Sequence, residues 1–218
     1  VTSTKRQAGR IGVLGGTFDP VHRGHLAMAE AARTACRLDR VLFMPAHQPP
    51  HKRCHVAQEH RLAMLHLAVD GIEGCEVSDF ELRRPGPSYT VDTLAALARE
   101  LGPDTGIFFL IGADAFAEIQ TWKEPQRLLD HASLVVIARP SYPLPAEPAL
   151  PLHRLVRRDD ATWQDPRSGN VVRLLVMEPV SCSSTEIRRR LAVGRDISDM
   201  VPPPVYRYIL AHHLYRRT

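Results

Sequence analysis

The chain has 218 residues, enough for one domain or one domain with a small appendage. Hydrophobic residues make up 44% of it and can fill a sizeable core, which excludes a globally disordered chain. The formal charge is +4, from 28 Lys and Arg against 24 Asp and Glu; this mild excess suits acidic small molecules, and no dense basic block or interleaved aromatic stripe asks for nucleic acid.

No apolar run is long enough to cross a bilayer. Residues 1–10 are polar and basic, without the apolar stretch of a secretory signal. A cytoplasmic protein with no membrane partner is expected, with residues 1–9 as a disordered arm. Cys36, Cys54, Cys75 and Cys182 are scattered, with no C-x-x-C pair. Reduced thiols are therefore expected, rather than a zinc ribbon or a disulfide framework.

In chain order, residues 11–14 form a short apolar run that stops at Gly15-Gly16 and reads as a buried strand entering a tight turn. A helix follows over 25–33, and a second strand over 41–44 stops at Pro45. In 59–69, Leu62, Leu65 and Val69 share one helical face. Residues 75–82 read as a less regular strand. Thr90 can cap a helix whose stripe is Val91, Leu94, Leu97, Ala98 and Leu101, ending at Gly102. Residues 107–111 are a continuous apolar strand before Gly112. Pro125 suits the first turn of a helix through Leu129. Strands follow at 134–138 and 171–177. The proline-rich 140–151 reads as a surface loop that the polar 157–169 extends, so 141–169 is expected to be an irregular insertion.

Strands and helices in alternation, with strands apolar on both faces, indicate a doubly wound α/β fold with a mostly parallel sheet, in a single domain over 1–218. Ligands in such a fold sit beyond the carboxyl ends of the strands.

The first stretch with chemistry in it is 15–25, GGTFDPVHRGH, directly after the first strand. Gly15 and Gly16 let the backbone approach a ligand, and the N–H groups of the turn (Gly15, Gly16, Thr17, Phe18) and of the next helix offer an anion site. His22 and His25 are three apart, so both imidazoles could face a phosphate held there. Two other readings stay open on spacing alone: a tight turn beside surface histidines, and a His-x-x-His metal chelate lacking an obvious third ligand. The stretch is neither a G-x-G-x-x-G fingerprint nor a P-loop, which disfavours a dinucleotide-dependent oxidoreductase.

The second stretch is 181–188, SCSSTEIR. Its hydroxyl residues, including Ser184 and Thr185, read as a capped helix start, and Arg188 lies about one turn in, able to bond phosphate oxygens. By itself it is also an ordinary N-cap with a solvated basic face.

Residues 16–25 resemble the G-T-F-D-P-x-H-x-G-H signature of the nucleotidylyltransferases, related to the H-I-G-H element of class I aminoacyl-tRNA synthetases, at every defining position. Residues 182–188 resemble the I-S-S-T-x-I-R motif, with Cys182 where Ile is usual, a departure expected to affect packing more than chemistry. The resemblance implies a Rossmann-like nucleotidylyltransferase fold with His22 and His25 on the phosphates of a nucleoside triphosphate. Arg188 would meet the β- and γ-phosphates that leave as pyrophosphate. Arg189 and Arg190 are expected to be solvated.

Several families share both elements, so the acceptor must be read elsewhere. Lys52 in Pro49-Pro50-His51-Lys52 follows the second strand and places a cation at the ligand edge. Ser88-Tyr89-Thr90 opens a helix whose N–H groups could take a carboxylate. Asp114, after Gly112-Ala113, could hold ribose hydroxyls, Trp122 could stack on a pyridine ring, and Arg139 ends the next strand with another cation. Taken singly, Lys52 and Arg139 also fit solvated charges and Trp122 a core aromatic. Trp163, His47, His55, His60 and His66 read as packing or surface residues.

In this order P-P-H-K, S-Y-T, I-G-A-D, Trp122 and R-P-x-Y-P resemble the nicotinate-nucleotide adenylyltransferase family across nearly the whole chain. The resemblance implies transfer of the adenylyl group of ATP to nicotinate mononucleotide, with Mg²⁺ bound mainly through triphosphate oxygens and water. It implies an ATP site of Gly15, Gly16, Thr17, Phe18, His22, His25, Gly112, Ser184, Thr185 and Arg188. Tyr89 and Thr90 would contact the nicotinate carboxylate, with Trp122 near its ring, Asp114 on a ribose, and Lys52 and Arg139 on phosphate. A phosphopantetheine adenylyltransferase would share the histidine and Ser-Ser-Thr elements but not the S-Y-T, G-A-D and Trp set. A non-catalytic nucleotide sensor is the alternative from another class. Preference between nicotinate and nicotinamide mononucleotide stays open, as does a homo-oligomer.

Overall fold

The computed structural model describes residues 9–49, 53–138, 155–178 and 180–216. Its centre is one eight-stranded sheet in the order β3-β2-β1-β4-β5-β8-β7-β6. The strands are β1 (Arg10–Gly16), β2 (Arg40–Pro45), β3 (Cys75–Val77), β4 (Gly106–Gly112), β5 (Ser133–Ala138), β6 (Val156–Arg157), β7 (Thr162–Gln164) and β8 (Val171–Val176). β3, β2, β1, β4, β5 and β8 run parallel, while β7 and β6 add an antiparallel edge.

Side chains alternate across a strand, so an apolar run feeds both faces of a sheet. In β4, Phe108 and Leu110 point to one core, and Ile107, Phe109 and Ile111 to the other. In β5, Val135 and Ile137 join the first core, and Leu134, Val136 and Ala138 the second. The first core is covered by α1 (Arg23–Cys36), α2 (Gln58–Val69), α6 (Ser184–Ala192) and α7 (Pro203–Ala211). The second is covered by α3 (Thr90–Leu101), α4 (Ala113–Ala117) and α5 (Leu128–His131). The doubly wound α/β arrangement expected from the alternating pattern is present. The strand order reverses between β1 and β4, which opens a crevice at their carboxyl ends.

Several local expectations are corrected. The strand expected over 75–82 ends at Val77, because Phe80 turns into the second core and Glu81 toward Thr93. Thr90 does not cap α3: Tyr89 holds the N-cap position, without a side-chain cap bond, and Thr90 is the first helical residue. Pro125 opens a 3₁₀ turn, Pro125–Arg127, and α5 follows it. Within the expected insertion, 155–169 is not all loop. β6 and β7 form a hairpin that pairs with β8, because Trp163 (6% exposed) is buried in the second core. Residues 1–8 and 141–154 lie outside the described residues. Among the described residues no helix is long and apolar enough to cross a membrane, and all four cysteines are free thiols.

Candidate active site

β1 delivers Gly15 and Gly16 to the crevice, and β4 delivers Gly112 beside them. The Phe109 ring packs behind the turn: a Cβ at Gly15 would lie 3.4 Å from it. On its other side Phe109 meets Trp122 edge-on, with ring centroids 6.3 Å apart. Thr17 is half-buried. Phe18 adopts φ 49°, and its ring is buried under the loop, 5.0 Å from the His25 ring centroid.

His22 is the N-cap of α1 and His25 its third residue, and the two make a reciprocal capping box. The His22 amide donates to His25 Nδ1 at 3.2 Å, and the His25 amide faces the His22 side chain. The rings stack with centroids 3.7 Å apart. Nδ1 of His25 accepts a backbone N–H, so in the neutral ring the proton sits on Nε2, the nitrogen farther from the backbone. The fit around Gly24 is tight: a Cβ there would lie 3.0 Å from His22 Nδ1 and 3.1 Å from Cys182 Sγ, and both side chains would have to give by a few tenths of an ångström.

The second segment arrives on α6. Ser183 caps the helix by accepting the Glu186 N–H at 3.2 Å. Ser184 Oγ donates to the Pro20 carbonyl at 2.9 Å. Arg188 donates to the Asp19 carbonyl at 2.6 Å and to Thr185 Oγ1 at 3.3 Å. The loop after β1 and the start of α6 therefore share one locus. Arg189 and Arg190 pair instead with Glu186, whose carboxyl they hold down at about 2.

Three residues to which the sequence reading gave no role hold this loop. Asp19, 1% exposed, accepts from the His55 amide (2.6 Å), from the His55 ring (3.0 Å) and from the Tyr215 hydroxyl (2.7 Å). Burial beside that carboxylate pushes the Tyr215 phenol up. Arg61, 2% exposed, donates to the Thr17 carbonyl at 2.8 Å and the Ala46 carbonyl at 2.9 Å. A signal for Arg61 exists: it lies one turn before Leu65 on the buried stripe of α2, a poor place for a charge without partners. Asp19 sits inside the quoted motif, whereas nothing local to Tyr215 marks it.

At the start of α3, Tyr89 borders a pocket of about 240 Å³ together with Glu81, Arg84, Ser88, Asp92 and Lys123, and Thr90 is the next residue. Lys123 Nζ lies 4.9 Å over the Tyr89 ring and 2.7 Å from Asp92. Burial raises the Glu81 carboxyl, opposed by hydrogen bonds from Thr93 and Ser88 and the nearby Arg84 charge. Trp122 is half-buried; it touches the second core and keeps an exposed part. The Asp114 carboxylate is exposed and folds back over Gly112. Lys52 and Arg139 lie outside the described residues. His47 bonds Gln58 and His60 bonds Tyr208, while His66 is exposed.

The cytidylyltransferase-like family model matches residues 13–190. A Thermus thermophilus protein named "Probable nicotinate-nucleotide adenylyltransferase" is 48% identical over 95% of this chain and 100% of its own length. Proteins of the same name from Chromohalobacter salexigens and Pseudomonas aeruginosa are 43% and 41% identical, over 94% and 95% of this chain and 95% and 97% of their own. This chain belongs to the nicotinate-nucleotide adenylyltransferase family. The family fold is also seen in Plasmodium falciparum nicotinic acid mononucleotide adenylyltransferase complexed with NaAD, which superposes with a TM-score of 0.70 at 19% identity, over 95% of this chain and 97% of that one.

Cys182 stands where the family motif usually has Ile. It packs in the first core as expected, and its Sγ also accepts the Gly24 N–H at 3.1 Å and lies 3.4 Å from His22 Nδ1.

Proposed function

We propose that this protein transfers the adenylyl group of ATP to the 5′-phosphate of nicotinate mononucleotide, releasing pyrophosphate. The observation that carries the reading is the meeting of the stacked His22–His25 pair with Arg188 on one loop at the β1–β4 crevice. Full-length identity of 48% to a relative named for this activity supports the choice of acceptor.

An oxygen of the mononucleotide phosphate attacks the α-phosphorus of ATP. The new P–O bond forms as the bond to the bridging α,β-oxygen breaks, and pyrophosphate leaves with that electron pair. The nucleophile is already ionised at neutral pH, so no general base is needed. The chain has to align two anions and neutralise the leaving group. His22 and His25 would donate Nε2–H bonds to phosphate oxygens, joined by the N–H groups of Gly15 to Phe18. Arg188 spends two of its five N–H donors on Asp19 and Thr185. It would meet the β- and γ-phosphates with the others, and Ser184 and Thr185 would flank them at the start of α6.

The N–H groups of Tyr89 and Thr90 would receive the nicotinate carboxylate. Trp122 would lie along the pyridine ring, and Asp114, beside Gly112, would hold ribose hydroxyls. Lys52 and Arg139 complete the proposal as phosphate contacts. Mg²⁺ would enter as the ATP complex, keeping substrate oxygens and water as ligands and lowering the charge of the triphosphate.

The test is pyrophosphate release with ATP and Mg²⁺ against nicotinate mononucleotide, nicotinamide mononucleotide and 4′-phosphopantetheine. Highest kcat/KM with nicotinate mononucleotide supports the reading. Turnover only with phosphopantetheine, or ATP binding without turnover, overturns it.

A further inference from the structure

Cys182 lies between two pieces of the candidate site. Its sulfur, 5% exposed, receives the Gly24 N–H at 3.1 Å, and it sits 3.4 Å from Nδ1 of the buried His22 ring. A thiol has one hydrogen to give and lone pairs to accept with. The Gly24 bond uses a lone pair, and at 3.4 Å the ring nitrogen lies within reach of the thiol hydrogen.

The His25 amide makes its main bond to the His22 carbonyl at 2.9 Å and gives the His22 side chain only a shared one. That shared N–H favours Nδ1 as an acceptor without fixing it, so a second donor at the same nitrogen would decide the tautomer.

We infer that Cys182 is a positioning residue: its S–H donates to His22 Nδ1, holds the ring against the α1 N-terminus, and fixes the neutral ring with its proton on Nε2. The orientation matters because Nε2–H is the donor that can leave the protein surface toward an anion, while the same ring with its proton on Nδ1 would aim a lone pair at a phosphate. Gly24 is part of the device, since a Cβ at that position would press on both the sulfur (3.1 Å) and the ring nitrogen (3.0 Å).

The inference rests on the adenylyl-transfer reading for its kinetic consequence but not for its structural one. The experiment therefore reads both. Cys182→Ala and Cys182→Val remove the donor, with Val retaining bulk, while Cys182→Ser keeps a group that gives and accepts. Imidazole ¹⁵N shifts of His22, assigned by comparison with His22→Gln, are recorded without nucleotide at a pH where the ring is neutral.

Wild type and the Ser variant are expected to show the Nε2–H form, and the Ala and Val variants a mixture with Nδ1–H. Loss of one such bond should lower kcat about 5- to 10-fold in both apolar variants with KM for the mononucleotide unchanged, and Ser should recover most of it. An Nε2–H ring in all four proteins overturns the inference, as does Val matching wild type in kcat while Ser does not. If wild type fails to turn over, the functional reading falls, yet the ¹⁵N shifts still decide the role of Cys182.

Discussion

Arg188 and Asp19 are 169 positions apart, and the guanidinium of one donates to the main-chain oxygen of the other at 2.6 Å. A bond to a carbonyl, rather than to a carboxylate, leaves the charge of Arg188 unneutralised by that partner. The same contact aims a cation at the loop that carries the imidazole pair. This is the arrangement a polyphosphate needs: fixed donors and a fixed charge from two directions, in place before the ligand arrives.

Replacement of His25 by alanine should lower kcat about 100- to 1,000-fold, the usual cost of one donor aimed at developing charge. The fold should survive, because His25 is only partly buried and its Nδ1 bond to the His22 amide is one among many caps. Steady-state kinetics with circular dichroism checks both halves. A folded His25→Ala enzyme with wild-type kcat removes the residue from the mechanism.

Arg188→Lys separates charge from geometry. Lysine keeps the cation but has no fork to span Asp19 and Thr185. We expect Arg188→Ala to lose about 100-fold or more in kcat and Arg188→Lys to recover only part of it. Equal kcat for Lys and Arg would reduce the role to a point charge.

Arg61→Met tests the support under the loop. Its fully buried guanidinium serves the carbonyls of Thr17 and Ala46, and methionine leaves both without that donor. Each stranded buried acceptor costs about 1–3 kcal/mol, so a loss of about 2–4 kcal/mol is expected in urea unfolding. A change below about 0.5 kcal/mol would mean that the loop is held by other contacts.

Glu81 gives a pH signature. Burial raises its carboxyl above the ordinary value of 4.5, so protonation favours the folded state. The stability this contributes is full below pH 4.5 and is lost as the pH climbs through the raised folded value. Glu81→Gln should therefore gain stability relative to wild type as pH rises from 4.5 toward neutrality, when the two are unfolded in parallel across that window. Parallel stability curves would show that the group titrates as it does in the unfolded chain.

The architecture was legible because the core strands are apolar on both faces. β4 and β5 divide their residues between two cores, and that leaves only a parallel, doubly covered sheet. The imidazole pair was legible through the resemblance of residues 16–25 to the nucleotidylyltransferase signature, since three-residue spacing alone leaves surface histidines and a metal chelate open. What escaped depends on partners far away in sequence. Asp19 draws its meaning from Tyr215 and His55, and Cys182 from Gly24 and His22. The β6–β7 hairpin escaped because its strands are two and three residues long, too short to show a period, and Trp163 anchors them only once β8 is in place.

The most direct measurement is a crystal structure of the protein with a non-hydrolysable ATP analogue and Mg²⁺. The β- and γ-phosphates should lie within hydrogen-bonding distance, about 2.7–3.2 Å, of both His25 Nε2 and the Arg188 guanidinium. A triphosphate bound elsewhere, or held by the imidazoles while Arg188 points away from it, would contradict the account.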